Sequence, residues 1–260
     1  MRKNTFLICL FLSCLAWSTA AWAAEKDDEI SKSYFKDAKR YRFKVDAEYL
    51  LPEHLKGGKL PIRRLEAELD RFFKVLDLLG ENFVRKSGLK QVVICRNLNN
   101  GKRKLNGHVY KDCIYLTEGF KPDTVYHELY HVLDNKDSSK DWLKCNDPAF
   151  RYRGSSMENP AVKTRFDEGF VSAYARTSER EDRAETFSAM ITQGPEFTLR
   201  AQKNPVLYAK MQYIIKQTGT ASLLGRNYWL NRLGMNIIPP KKKNPPPKPE
   251  TAPLTVQIVR

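Results

Sequence analysis

Beyond its first two dozen residues the chain has no apolar run long enough to cross a bilayer, and it holds only four histidines in 260 residues. The first scarcity excludes a membrane-embedded body for the mature protein, because a spanning helix needs about 20 apolar residues. Among the cysteines beyond those first two dozen residues, Cys95, Cys113 and Cys145, no two sit at the two-to-four-residue spacing of a cysteine-based zinc site, which argues against such a site. No internal repeat is present, which removes solenoids and propellers. Nor is there a basic motif interleaved with aromatics, so the excess of lysine and arginine points to no specific nucleic acid.

What the chain does have begins with an export signal. Arg2 and Lys3 precede the apolar run Phe6 to Trp17, and Ala21-Trp22-Ala23 offers small residues where a signal peptidase reads. Residues 1–23 read as a signal peptide cleaved after Ala23, which predicts an exported protein, periplasmic or secreted. Its loss leaves about +13 of the formal charge of +15. A surface of that sign suits anionic cell-surface polymers in general and names no single partner. Cys95, Cys113 and Cys145 remain after cleavage. An oxidising compartment favours one disulfide and one free thiol, and the strand-like surroundings of Cys95 and Cys113 make them the pair to expect.

The body divides into four stretches. Residues 24–60 form an N-terminal extension whose first part, to about Lys44, is polar and expected to be mobile. Residues 61–238 carry the periodic elements, and residues 239–260, rich in proline and lysine, read as an extended tail. Within 61–238, Ile62, Leu65, Leu69, Phe72, Leu76 and Leu79 recur at helical steps between Pro61 and Gly80. Strands are expected at Gln91–Cys95, His108–Tyr110 and Cys113–Leu116, the last two separate or one bent strand. Helices are expected at 121–134 with Asp123 as N-cap, then at 166–174, 180–192 and 204–217. The long irregular segment 135–165 between them is a candidate functional loop. The whole predicts an α+β fold: a small, mostly antiparallel sheet, an active-site helix and C-terminal helices.

Two of the four histidines carry the chemistry. His127 and His131 lie four apart on the predicted helix 121–134, so both rings present a nitrogen to one metal ion. Glu128 follows the first ligand and reaches a water on that metal, and such water is acidified toward neutrality by Zn2+. A chance arrangement is disfavoured by Val125, Leu129, Val132 and Leu133, which give the helix an apolar side that anchors it away from the ligands. A catalytic zinc needs a third protein ligand and an open position. His54 and His108 do not stand at the spacing of a third histidine after the motif, where the chain has Asp134 and Asp137 instead. A carboxylate from a later helix is therefore expected. Glu181 and Glu185 share a helix face, and either serves as ligand while the other accepts a hydrogen bond from a ligand histidine.

The stretch His127-Glu128-Leu129-Tyr130-His131-Val132-Leu133-Asp134, then Ser172 to Ser178, then Glu181 and Ala184-Glu185-Thr186-Phe187, resembles the catalytic domain of the anthrax lethal factor family of gluzincin peptidases. The resemblance covers roughly residues 90–217. It implies a zincin-like domain with Glu181 as third zinc ligand, Glu185 as acceptor behind a ligand histidine, and Tyr174 as hydrogen-bond donor to the oxyanion. It further implies that Asp134 orients a ligand histidine. The expected reaction is hydrolysis of a peptide bond in an extracytoplasmic protein or peptide. Two rivals stand beside it: a hydrolase of cell-wall peptides, which the cationic surface suits, and a non-catalytic binding protein that keeps the fold. The complete His127, Glu128, His131 and Glu181 set speaks against the latter.

Overall fold

The computed structural model describes residues 30–46, 48–134, 141–154 and 169–235. The signal segment, the 239–260 tail and the first three residues of the helix expected at 166–174 lie outside them. Among the described residues no helix is long and apolar enough to cross a membrane.

Among the described residues, eight α-helices and five strands make an α+β fold. The first helix, α1 (Lys32–Tyr41), stands where a mobile polar stretch was expected. Its stripe is sparse but sufficient: Ala38 and Tyr41 are buried, and the two tyrosines satisfy their hydroxyls on the next helix. Tyr34 donates to Asp70 at 2.8 Å and Tyr41 to Asp77 at 2.6 Å. Strands β1 (Lys44–Val45) and β2 (Lys56–Gly58) follow, and Ile30, Ala38, Tyr41, Phe43, Val45 and Leu60 join the main core.

Helix α2 (Ile62–Leu79) buries Leu65, Leu69, Phe72, Leu76 and Leu79, the periodic residues of the sequence, each worth roughly 1.5–3 kcal/mol of transfer free energy. Glu68 lies on that buried face too. Its carboxylate is satisfied by Arg71 at 2.9 Å and by the Gly119 backbone N–H at 3.1 Å. The second bond pins the turn that leads into the helix of the candidate site. Helix α3 (Glu81–Ser87) then delivers the chain to the central strand β3 (Gln91–Asn99).

The sheet order is β1-β3-β5-β4, with β2 on the far half of β3. Strands β4 (Gly107–Tyr110) and β5 (Cys113–Thr117) form a hairpin through Lys111 and Asp112, both at positive φ, as a two-residue type I′ turn requires. The sheet is mixed rather than mostly antiparallel: β1–β3 and β3–β5 are parallel, while β2–β3 and β4–β5 are antiparallel. The helices α2 and α3 make a crossover between β1 and β3, and β4 takes the edge, leaving β5 to run beside β3 in the same direction. That register also removes the expected disulfide. Cys113 stands opposite Gln91, and Cys95 opposite Thr117 four residues further on, roughly 13 Å along the strand. All three described cysteines are free thiols.

One face of the sheet, with Val92, Ile94, Ile114 and Leu116, packs against the helices. The other face, with Val93, Cys95 and Tyr115, closes a smaller cluster with Leu55. Helix α4 (Pro122–Asp134) begins at a proline, so Asp123 sits inside its first turn rather than capping it. It is buried from Val125 to Asp134 and lies against α5 (Glu179–Gln193). The described part of the helix expected at 166–174 is bends up to Ala173, then a 3-10 turn at Tyr174–Arg176. Helices α6 (Pro195–Lys203), α7 (Pro205–Thr220) and α8 (Arg226–Arg232) complete the body.

Candidate metal centre

Helix pitch stacks His127 and His131 on one face of α4, with ring centroids 4.5 Å apart. Helix α5 is aimed at them by its own N-terminus: the Ser178 hydroxyl accepts the Glu181 N–H at 3.1 Å and caps the first turn. The serine and glutamate have capping-box spacing, yet the Glu181 side chain turns to the histidines. Its Oε2 stands 3.1 Å from His127 Nε2 and 3.1 Å from His131 Nε2. One atom from each of the three residues lies within 4.8 Å of the others, a group that can hold a metal ion. Glu185, one turn on, takes the opposite side of the first ring, with Oε1 2.8 Å from His127 Nδ1.

The surroundings are starved of water, with His127, Glu128 and His131 at 8, 6 and 5 % exposure. Burial pushes Glu128 up to about 7. Burial also disfavours a charged His127, but hydrogen bonds with Glu181 and Glu185 outweigh it and raise that ring to about 10. His131 goes the other way, to about 4, because its burial is less well compensated and His127 repels a second charge. Glu181, despite burial, is held well below the usual carboxylate range by the two rings. Two imidazoles and one carboxylate match the donor set of a catalytic zinc site.

Tyr174 lies over this group, its ring stacked on His127 at 5.9 Å. Burial and the adjacent Glu181 hold its hydroxyl well above the ordinary phenol value, so it stays a donor. Ser172 donates to Glu185 Oε2 at 2.6 Å and fixes that carboxylate. Arg180 Nε donates to His131 Nδ1 at 3.1 Å. Ligation through His131 Nε2 would put the ring hydrogen on Nδ1, and the exposed Arg180 side chain would then have to turn away.

Asp134, expected to orient a ligand histidine, also ties two helices together. Arg183 binds it in two prongs, Nε to Oδ1 at 2.8 Å and Nη2 to Oδ2 at 2.9 Å, clamping the end of α4 to α5. Sequence reasoning passed over Ser172, Arg180 and Arg183. The only signal for Arg183 was its place four residues after Glu179, which it also pairs with.

A cleft of about 440 Å3 opens beside Glu128 and Tyr174, with Arg103 and Lys104 at its rim and Ser188 and Thr192 on α5 as its wall. Of the segment 135–165, only 141–154 is described, and it does not line this cleft. Trp142 and Tyr152 are instead anchored on Asp182, at 3.1 and 2.7 Å. Gly107 on β4 forms the near side. A Cβ there would come within 2.7 Å of Glu128 Oε1 and 2.8 Å of its Cγ. Gly107→Ala is therefore expected to displace Glu128, with turnover down roughly 100-fold and metal content unchanged. Steady-state kinetics beside metal analysis checks this, and an unaffected kcat would show that the glycine does not seat the carboxylate.

A family model described as "Putative zinc-binding metallo-peptidase" matches residues 96–221. No curated protein matches the chain. Among solved structures, the crystal structure of a "putative zinc-binding metallo-peptidase" from Bacteroides caccae is similar, with a TM-score of 0.54 and 19 % identity over 78 % of this chain and 92 % of that one. That likeness shows a shared fold. Over residues 96–221, then, the chain is similar to a family described as zinc-binding metallo-peptidases, and zinc is the metal that its His127, His131 and Glu181 group suits.

Proposed function

We propose that the chain is a zinc endopeptidase of the gluzincin type, exported, acting on extracytoplasmic proteins or peptides. The observation that carries the reading is the convergence of both histidine Nε2 atoms on a single Glu181 oxygen, with Glu128 buried beside them. Zinc held by His127, His131 and Glu181 supplies Lewis acidity toward a carbonyl and lowers the pKa of water. Glu128 takes the proton as water oxygen bonds to the scissile carbonyl carbon. The same carboxyl then gives the proton to the amide nitrogen as the C–N bond breaks, leaving a carboxylate and an amine. Tyr174 donates its hydroxyl hydrogen to the developing oxyanion. Glu185 accepts from His127 Nδ1, which keeps the Nε2 lone pair turned to the ligand side.

Tight contact between α4 and α5 supports this reading, since the ligands then sit on rigid elements and not on loops. The test is hydrolysis of an unfolded protein such as casein by the freshly prepared chain, before and after removal of metal with a chelator. Activity that disappears with the metal and returns with one equivalent of zinc supports the reading. Hydrolysis of purified wall peptides in place of casein would transfer it to the cell-wall alternative, and activity indifferent to the chelator would end it.

A further inference from the structure

The remaining two histidines of the chain are also neighbours. His54, in the turn after Pro52, and His108, on the edge strand β4, bring their Nε2 atoms to 3.4 Å of each other. That separation is at the long limit of a hydrogen bond. Two nitrogens at 2.0–2.1 Å from a tetrahedral ion stand roughly 3.3–3.4 Å apart. The rings are set at 76° and converge through their Nε2 ends, and the Tyr110 ring, 4.8 Å from His54 between centroids, braces the outer one. We propose that His54 and His108 form a second divalent-metal site, for zinc or copper, on the open edge of the sheet beside the cleft.

The location supports a ligand. His54 is exposed, so an ion has access and water can complete the coordination. The residue before His108 is Gly107, which touches Glu128, so an ion here would lie alongside the cleft and not inside it. With two protein ligands instead of three, this site fills only after the first, and Cu2+ binds it more tightly than Zn2+. The proposal goes beyond the peptidase reading and does not require it.

The experiment uses the full mature chain loaded with one equivalent of zinc, then titrated with Zn2+ or Cu2+, with metal per chain counted after gel filtration. The expected result is a second equivalent in both titrations. With copper, one zinc and one copper remain per chain, and the copper resonance spectrum shows nitrogen ligands. His54→Ala, at an exposed position, should keep its melting temperature and its first zinc and lose the second equivalent; His108→Gln should do the same. No second equivalent in the wild type overturns the proposal, as does one that persists in both variants. In either case the contact is a plain ring-to-ring hydrogen bond. A chain that fails to keep the first zinc but still loads metal through His54 and His108 would count against the peptidase reading and in favour of this one.

Discussion

Glu128→Gln is expected to leave about one zinc per chain in place and to lower turnover by roughly 100- to 10,000-fold. Glutamine preserves the volume and the hydrogen-bonding reach of the side chain, so the packing against Gly107 survives. What it loses is the capacity to take a proton. The carboxylate suits the task because burial pushes it up to about 7, near neutrality. None of the three ligand atoms belongs to residue 128, so metal content should not follow activity down. Parallel metal analysis and casein hydrolysis decide the matter. Equal turnover in the two proteins would remove Glu128 from the chemistry. Loss of zinc in the variant would mean that the residue holds the site together instead.

The second large effect is expected far from the ligands. Lys210 on α7 and Asp182 on α5 are both wholly buried, 2.8 Å apart. Burial lowers the lysine and raises the aspartate, so each needs the other to stay charged. The donors gather on one side of the pair: the lysine also donates to Gly169 O at 2.9 Å and lies 3.6 Å from the Phe170 ring centroid, while Asp182 Oδ2 accepts from Trp142 and Tyr152. Breaking a buried pair from one side costs about 3–5 kcal/mol, against a total stability of about 5–15 kcal/mol. Lys210→Met should therefore lower Tm by about 6–20 °C. Because Asp182 adjoins Glu181 and anchors Trp142 and Tyr152, while Lys210 holds Gly169 and Phe170, metal retention should weaken as well. Replacing both partners, Lys210→Met with Asp182→Asn, should restore part of the lost Tm, since no uncompensated charge is then left. A thermal melt in which the single variant matches wild type would show that the pair contributes nothing net. A double variant no better than the single would assign the loss to packing.

Much of the helical scaffold was legible because its signals are local. The α2 stripe, the hairpin strands and the α4 span follow from spacings of three, four and two residues and survive with shifts of a residue or two, whereas β3, expected at Gln91–Cys95, runs on to Asn99 through residues that read as loop. Helix α1 was hidden because Tyr34 and Tyr41 bury rings whose hydroxyls pair with acids 36 residues away, a contact no local pattern announces. Parallel pairing in the sheet was missed for a related reason. Alternation tells which residues are buried, but strand direction depends on where the crossover helices go. The cysteine expectation failed with it, since register decides which side chains oppose each other.

The sequence by itself determined that His127 and His131 share a face and that Glu128 lies beside them, because helix pitch alone sets those positions. It also placed Glu181 and Glu185 together on one side of a second helix. Where each of the two stands against the histidine rings was decided only by the tertiary structure. The crossing of α4 and α5, clamped by Arg183 on Asp134, puts Glu181 against both Nε2 atoms and Glu185 behind His127. Distances between elements are set by packing and not by spacing along the chain, and for that reason the meeting of His54 with His108 across 54 residues had no sequence signal at all.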